Sequence, residues 1–234
     1  FYIIEDASHA IGASYRDFKV GGCQYSDVTV FSFHPVKIIT TAEGGAALTN
    51  NIDLSTRMSL LRSHGVTRED HLMENVSHGG WYYEQVALGY NYRMTEIQAA
   101  LGISQLPRLD SYVQKRHEIA KFYYDAFKQF PVDVPCQNSN SYSSFHLFVI
   151  KVQLKKIHRS HQEVFSFLRE NGVGVNLHYI PVHLHPYYQK LGFKHGDFPN
   201  AEQYYKQAIS LPIYPALTKE NIKHVVTSLK GALA

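Results

Sequence analysis

Apolar and polar positions along the chain switch between a period of two and a period near 3.6, and the switches mark its elements. Residues 1–5 open with an unbroken apolar run, Phe1-Tyr2-Ile3-Ile4, which predicts a buried strand delivering Asp6 at its C-terminal end. Small residues at 7–13 and the turn-rich Tyr15-Arg16-Asp17 and Gly21-Gly22 follow. Residues 28–33 are β-branched and aromatic, a second buried strand. A polar loop at 40–44 leads to a third strand at 45–49, and Asp53 opens a helix with Leu54, Met58 and Leu61 at helical spacing. Residues 63–91 read as a long loop rich in His, Gly and Tyr, with Trp81-Tyr82-Tyr83 near its end. Loops of that length in a packed domain commonly serve as substrate lids or interface arms. Residues 95–106 have the pattern of an amphipathic core helix, which Pro107 ends, and a second helical pattern runs to about residue 130.

Residues 131–144, with Pro131, Pro135 and a polar run from Asn138, read as a linker. Beyond it the pattern predicts a strand at 145–152, a helix at 161–171, a strand at 173–179 and helices near 200–209 and 218–232. The expected organisation is therefore the remainder of a large α/β domain over 1–130 and a smaller α/β domain over 131–234.

Composition narrows the class. Hydrophobic residues make up 44% and charged residues 18%, below the roughly 25% of an average soluble chain, with aromatics at 13%. Such a chain can bury a core, which excludes disorder and coiled coil. The net charge is only +3 with no Lys/Arg run, so neither nucleic acid nor an anionic membrane is implied as a partner. Cys23 and Cys136 are two distant thiols rather than a disulfide framework, which fits a reducing cytoplasm. No apolar stretch approaches the ~18 residues of a membrane span. The chain begins with Phe inside a strand, which suggests the later part of a longer protein.

Asp6 and Lys37 are the residues best placed for chemistry. Each follows a predicted strand, and the intervening segment is long enough for one crossover between parallel strands. In open α/β sheets the ligand crevice lies beyond the carboxyl ends of the strands. An acid and an amine there suit pyridoxal 5'-phosphate (PLP), which a lysine holds covalently and whose ring nitrogen a carboxylate keeps protonated. On position and type alone a second reading stands level: Asp6 caps the next turn and Lys37 is a surface lysine. His178, His183 and His185 invite a metal, but their spacing is irregular, Pro181 and Pro186 interrupt it, and no Cys or carboxylate joins them. No metal site is expected.

The wording around these residues is specific. Glu5-Asp6-Ala7-Ser8-His9-Ala10, then Phe31-Ser32-Phe33-His34-Pro35-Val36-Lys37 with Thr40-Thr41-Ala42-Glu43-Gly44-Gly45, then Gly89-Tyr90-Asn91-Tyr92-Arg93-Met94 through Gln105-Leu106, closely resemble the DegT/DnrJ/EryC1/StrS aminotransferases. The likeness extends to His178-Tyr179 and to Ile209-Ser210-Leu211-Pro212. It implies a PLP-dependent transferase fold of the aspartate aminotransferase type (fold type I), present as a partial large domain plus a smaller C-terminal α/β domain. It also implies amination of a nucleotide-linked keto-sugar. The stretch from His34 to Gly45 and Ser63-His64-Gly65 are most similar to members acting at C4 of a UDP-linked 4-keto-6-deoxy-N-acetylhexosamine in pseudaminic acid biosynthesis, with L-glutamate as donor.

By the resemblance, Lys37 is the catalytic lysine, Asp6 pairs with the ring nitrogen, His9 lies against the ring and Ser32 donates to the cofactor phosphate. Asn91 reaches the phosphate in the partner subunit of a homodimer, and His178 lies near the sugar. The family's N-terminal portion, with further phosphate donors and the aromatic that stacks on the ring, is absent. Two missing charge-assisted hydrogen bonds would weaken phosphate binding by about 3–6 kcal/mol, on the order of a hundred- to ten-thousand-fold. The expectation is that these 234 residues alone are poorly active. Alternatives are a remnant that binds no cofactor, a perosamine- or aminoarabinose-type aminotransferase, or a dehydrating member; the last typically has His in place of Lys37.

Overall fold

In the computed structural model, which describes residues 1–234, the chain opens with β1 (Ile4–Asp6), a hairpin of β2 (Ser14–Tyr15) and β3 (Phe18–Lys19), then β4 (Val28–Ser32) and β5 (Gly45–Leu48). These are followed by α1 (Ile52–Arg62), β6 (Val66–Thr67), β7 (Glu84–Gln85), α2 (Glu96–Gln105) and α3 (Leu109–Ala126). The remainder comprises β8 (Val132–Asp133), β9 (Ser141–Tyr142), β10 (Phe148–Val152), α4 (His161–Glu170), α5 (Pro186–Gln189), α6 (Pro199–Tyr205), β11 (Ala208–Leu211) and α7 (Lys219–Leu233). The chain divides into two compact units, 1–109 with 140–142, and 110–139 with 143–234.

In the first unit, β1 and β4 are parallel neighbours, Asp6 opposite Val30, and β5 returns antiparallel to β4. The crossover from β1 to β4 is made by the β2–β3 hairpin and loops rather than a helix. The strand at 1–5 is shorter than the apolar run and is not buried: it is an edge strand, and Ile4 is 69% exposed. Asn51 caps α1, accepting from the N–H groups of Asp53 and Leu54, so the cap lies two residues before the acid read as its start.

The 63–91 segment is less irregular than its composition suggests. β6 and β7 pair antiparallel, and the Glu84 carboxylate gathers the excursion between them, accepting from Glu74 N (2.6 Å), Asn75 N (3.0 Å) and Tyr82 Oη (2.6 Å). Thr95 and Gln98 form a reciprocal capping box that starts α2 where expected. The expectation that α2 is a core helix is corrected: none of its residues is buried, and Ile97 is 85% exposed.

The second unit is built on an antiparallel sheet in the order β11-β10-β8. β10 alternates as a half-covered strand should, burying Phe148, Ile150 and Val152, while all four residues of β11 are buried. Each of the large apolar side chains among them contributes roughly 1.5–3 kcal/mol when fully removed from water. Tyr123 of α3 stacks on Phe127 and packs against Phe148, and its hydroxyl donates to Pro212 O at 2.8 Å. Since α3 packs Ile119, Ala120 and Tyr123 into this unit's core, the compact division falls at 109/110 rather than at 130/131.

Two expectations fail here. Residues 173–179 bury Val173 and Val175 in alternation but make only a single bridge, Asn176 to Ser210, so no strand forms. The helix expected to 209 stops at Tyr205, and 208–211 form β11 instead, because Ile209 and Leu211 pair with β10.

Candidate active site

The site begins with the register of β1 on β4. Ala7 N–H donates to Val30 O at 2.9 Å, so Asp6 leaves the sheet at the same end as the chain beyond Ser32. There the chain turns through His34–Lys37, with Lys37 N–H donating to His34 O at 2.9 Å, and returns where Thr41 N–H reaches Phe33 O at 3.0 Å. Ile38 and Ile39, both buried, anchor the turn. Lys37 is thereby half-buried at the strand ends, beside the exposed Asp6.

Gly44 closes this loop at φ +154°, where a Cβ would lie 2.3 Å from Thr41 Oγ1 and 2.7 Å from Met94 Cε. The Thr41 hydroxyl already donates to Glu43 O at 2.7 Å. Gly44→Ala should therefore displace Thr41 and strain the backbone by about 1–3 kcal/mol. A melting temperature lowered on the order of 5 °C is expected; a scan within 1 °C of the parent would contradict it.

Asp6 and Lys37 feel each other's charge. Burial pulls the Lys37 ammonium below the ordinary lysine value, and the Asp6 carboxylate opposes that pull without cancelling it. The Asp6 carboxyl is held below the usual carboxylate range first by the Ser8 hydroxyl, then by Ser8 N–H, with smaller contributions from the charges of His9 and Lys37. Both Ser8 groups donate to the same oxygen, Oδ1, at 2.5 Å and 3.0 Å. Asp6 does cap the following turn, then, but through one oxygen, Oδ1. The Asp-x-Ser spacing signals such a turn, although Ser8 received no role from the sequence.

The other site residues fall into three places. His9 is half-buried close enough to Asp6 to act on its charge, and Ser32 ends β4, its Oγ accepting from His34 N–H at 3.4 Å. Asn91 is exposed on a segment that bridges to Ser63 and bonds to none of these residues. His178 belongs to the second unit, where its Nδ1 lies 2.7 Å from Ser210 Oγ.

In the histidine-rich run, His178 pairs with Ser210 and His183 with a carboxylate. His183 is buried with Nε2 2.9 Å from Glu202 Oε1, and His195 Nε2 lies 2.9 Å from Oε2 of the same carboxylate. A carboxylate does join this run, contrary to expectation: Glu202, remote in sequence, pairs with His183 and His195, and no group of three or more ligating side chains converges to hold a metal ion.

The residues at the strand ends fit PLP: an amine disposed toward its neutral form, an acid that stays ionised with one oxygen uncommitted, and a hydroxyl at the adjacent strand end.

Comparison with known proteins bears on this site. The profile of the DegT/DnrJ/EryC1/StrS aminotransferase family matches residues 1–230. A Campylobacter jejuni protein named UDP-4-amino-4,6-dideoxy-N-acetyl-beta-L-altrosamine transaminase is 38% identical over 232 residues, covering 99% of this chain and 58% of its own length. The solved structure of Helicobacter pylori PseC, an aminotransferase involved in the biosynthesis of pseudoaminic acid, matches with a TM-score of 0.88 at 34% identity, covering 100% of this chain and 60% of its own. A putative sugar aminotransferase from Streptococcus pneumoniae, Spr1654 in its PMP form, matches at 0.88 and 30%, covering 99% and 57%. The chain thus spans about three-fifths of the length of these relatives, and no helix in it is long and apolar enough to cross a membrane. Its fold is the PLP-dependent transferase fold expected from the sequence, in part. The chain belongs to the DegT/DnrJ/EryC1/StrS aminotransferase family.

Proposed function

We propose that this chain carries the lysine and acid of a PLP-dependent sugar aminotransferase, moving an amino group from L-glutamate to C4 of a UDP-linked 4-keto-6-deoxy-N-acetylhexosamine. The observation that carries the reading is the Asp6–Lys37 pair at the ends of two parallel strands, each group's charge acting on the other. When bound, PLP supplies a carbonyl that traps an amine and a cationic ring that accepts the electrons of a broken Cα–H bond.

The chain's own residues supply the rest. Lys37 Nζ would hold the cofactor and, as a free amine, would take the α-proton of the donor. In the second half-reaction the same nitrogen returns a proton to the sugar carbon. Asp6 Oδ2 keeps a proton on the ring nitrogen, while Ser8 occupies Oδ1. His9 would lie against the ring and Ser32 would donate to the phosphate. Asn91, exposed on its own chain, reaches the phosphate across a homodimer, and His178 contacts the sugar. Residues 1–109 then act as the cofactor-binding unit and the second unit as the small domain. The pseudaminic acid assignment is supported by the names of the two relatives above.

The test is mass analysis of products from a panel of UDP-linked keto-sugars incubated with full-length protein, PLP and glutamate. A single 4-amino product from the 4-keto-6-deoxy-N-acetylhexosamine is expected. Amination of a different keto-sugar in preference would transfer the assignment to another branch of the family, and no amination of any would end it.

A further inference from the structure

The loop that carries Lys37 is gripped from outside by one side chain. Gln105, the last residue of α2, faces Thr40, three residues beyond Lys37. Its Nε2 donates to Thr40 O at 2.8 Å, and Thr40 N–H donates to its Oε1 at 3.4 Å. A side-chain amide here satisfies both backbone groups of one residue, as a neighbouring strand would. Nε2 also reaches Leu101 O at 3.3 Å, which steadies the amide against its own helix. The Thr40 hydroxyl completes the arrangement, donating to Phe33 O and accepting from Ala42 N–H, both at 2.9 Å. The helix must come close for this: a Cβ on Gly102 would lie 2.8 Å from Thr41 Cγ2.

We infer that Gln105 is a positioning residue for the catalytic lysine, clamping the 37–41 turn so that the Lys37 amine stays at the strand ends. Without it, Thr40 keeps only its hydroxyl bonds within the loop, and both of its backbone groups open to water. Loops with exposed backbone hydrogen bonds open locally at low free-energy cost. An amine that wanders by an ångström loses much of its rate advantage, on the order of a hundredfold. The inference rests on the proposed role of Lys37, although the clamp itself can be measured without cofactor.

Two variants separate clamping from packing. Gln105→Met keeps the length and bulk of the side chain and removes both hydrogen bonds; Gln105→Ala removes the bulk as well. In cofactor-free protein, hydrogen exchange of the Thr40 amide should quicken at least about fivefold in both variants, the effect of losing one net hydrogen bond. With full-length enzyme, kcat should fall about tenfold or more, with the donor KM within twofold of the parent. Unchanged Thr40 exchange in Gln105→Met overturns the clamp, as does faster exchange with unchanged kcat. If the parent forms no lysine adduct with PLP, the functional reading fails and the positioning role falls with it. The exchange result would still show whether Gln105 holds the loop.

Discussion

Lys37→Ala is expected to abolish the covalent adduct with PLP and to lower turnover by at least about 10⁴-fold, the upper end of what a single positioned proton carrier contributes. The loss is so large because one nitrogen serves twice, as the group that bonds the cofactor and as the base that moves the α-proton. The fold should survive. The turn is anchored by buried Ile38 and Ile39, whereas burial of the Lys37 ammonium is itself unfavourable and shows in its lowered pKa. Borohydride reduction followed by peptide mass mapping checks this: the adduct should map to the peptide containing Lys37 in the parent and vanish in the variant, with circular dichroism unchanged. An adduct mapping to another lysine, or turnover retained in full-length Lys37→Ala, would remove the assignment.

Asp6→Asn is expected to have the next largest effect, and in a direction that separates it from a general loss of structure. Asn keeps the shape and can still accept from Ser8, but the charge is gone. An opposite charge typically shifts a neighbour's pKa by ~1–3 units, so the protonated fraction of the ring nitrogen, and with it the rate, should fall about 10- to 1,000-fold. Lys37 should respond the other way. The Asp6 charge raises its pKa against the pull of burial, so removing it lowers that pKa further and leaves more free amine at neutral pH. Adduct formation should be no slower while turnover collapses. A pH profile adds a check. The two Ser8 hydrogen bonds hold the Asp6 carboxyl below the usual range, so its charge persists as pH falls toward 5, and any acidic limb there belongs to another group. If adduct formation and turnover fell together, Asp6 would be holding the loop rather than the ring.

Much of the fold is legible because its causes are local. The β-branched run at 28–32 forms β4, Ser160 with Glu163 opens α4 through a capping box, and Ile222, Val225 and Leu229 recur at helical spacing on the buried face of α7. The placement of Asp6 and Lys37 is legible for a related reason: a strand's C-terminal end puts the next residues at the sheet edge whatever surrounds it. Gln105 is less so. Its partner is a backbone group 65 residues away, and side-chain-to-backbone bonds leave no complementary residue to notice in the sequence. Glu202 shows the same limit, since the histidines it pairs with lie 19 residues before and 7 before it, in a stretch with no regular period.

The sequence by itself determined the elements with strong periods and the family to which the chain belongs, and it put Asp6 and Lys37 forward as candidates for chemistry. Tertiary structure decided burial, pairing and the state of each group. Periodicity shows that a face is apolar, not what covers it: α2 forms where its period predicts, yet Ile97 and Ile103 remain exposed, and the apolar run before Asp6 lies on a sheet edge. Pairing needs a partner brought near by the rest of the chain, which is why 173–179 stays a single bridge and 208–211 becomes a strand. The ionisation tendencies of Lys37 and Asp6 likewise follow from desolvation and neighbouring dipoles, quantities that exist only once the loop after β4 has folded back beside β1.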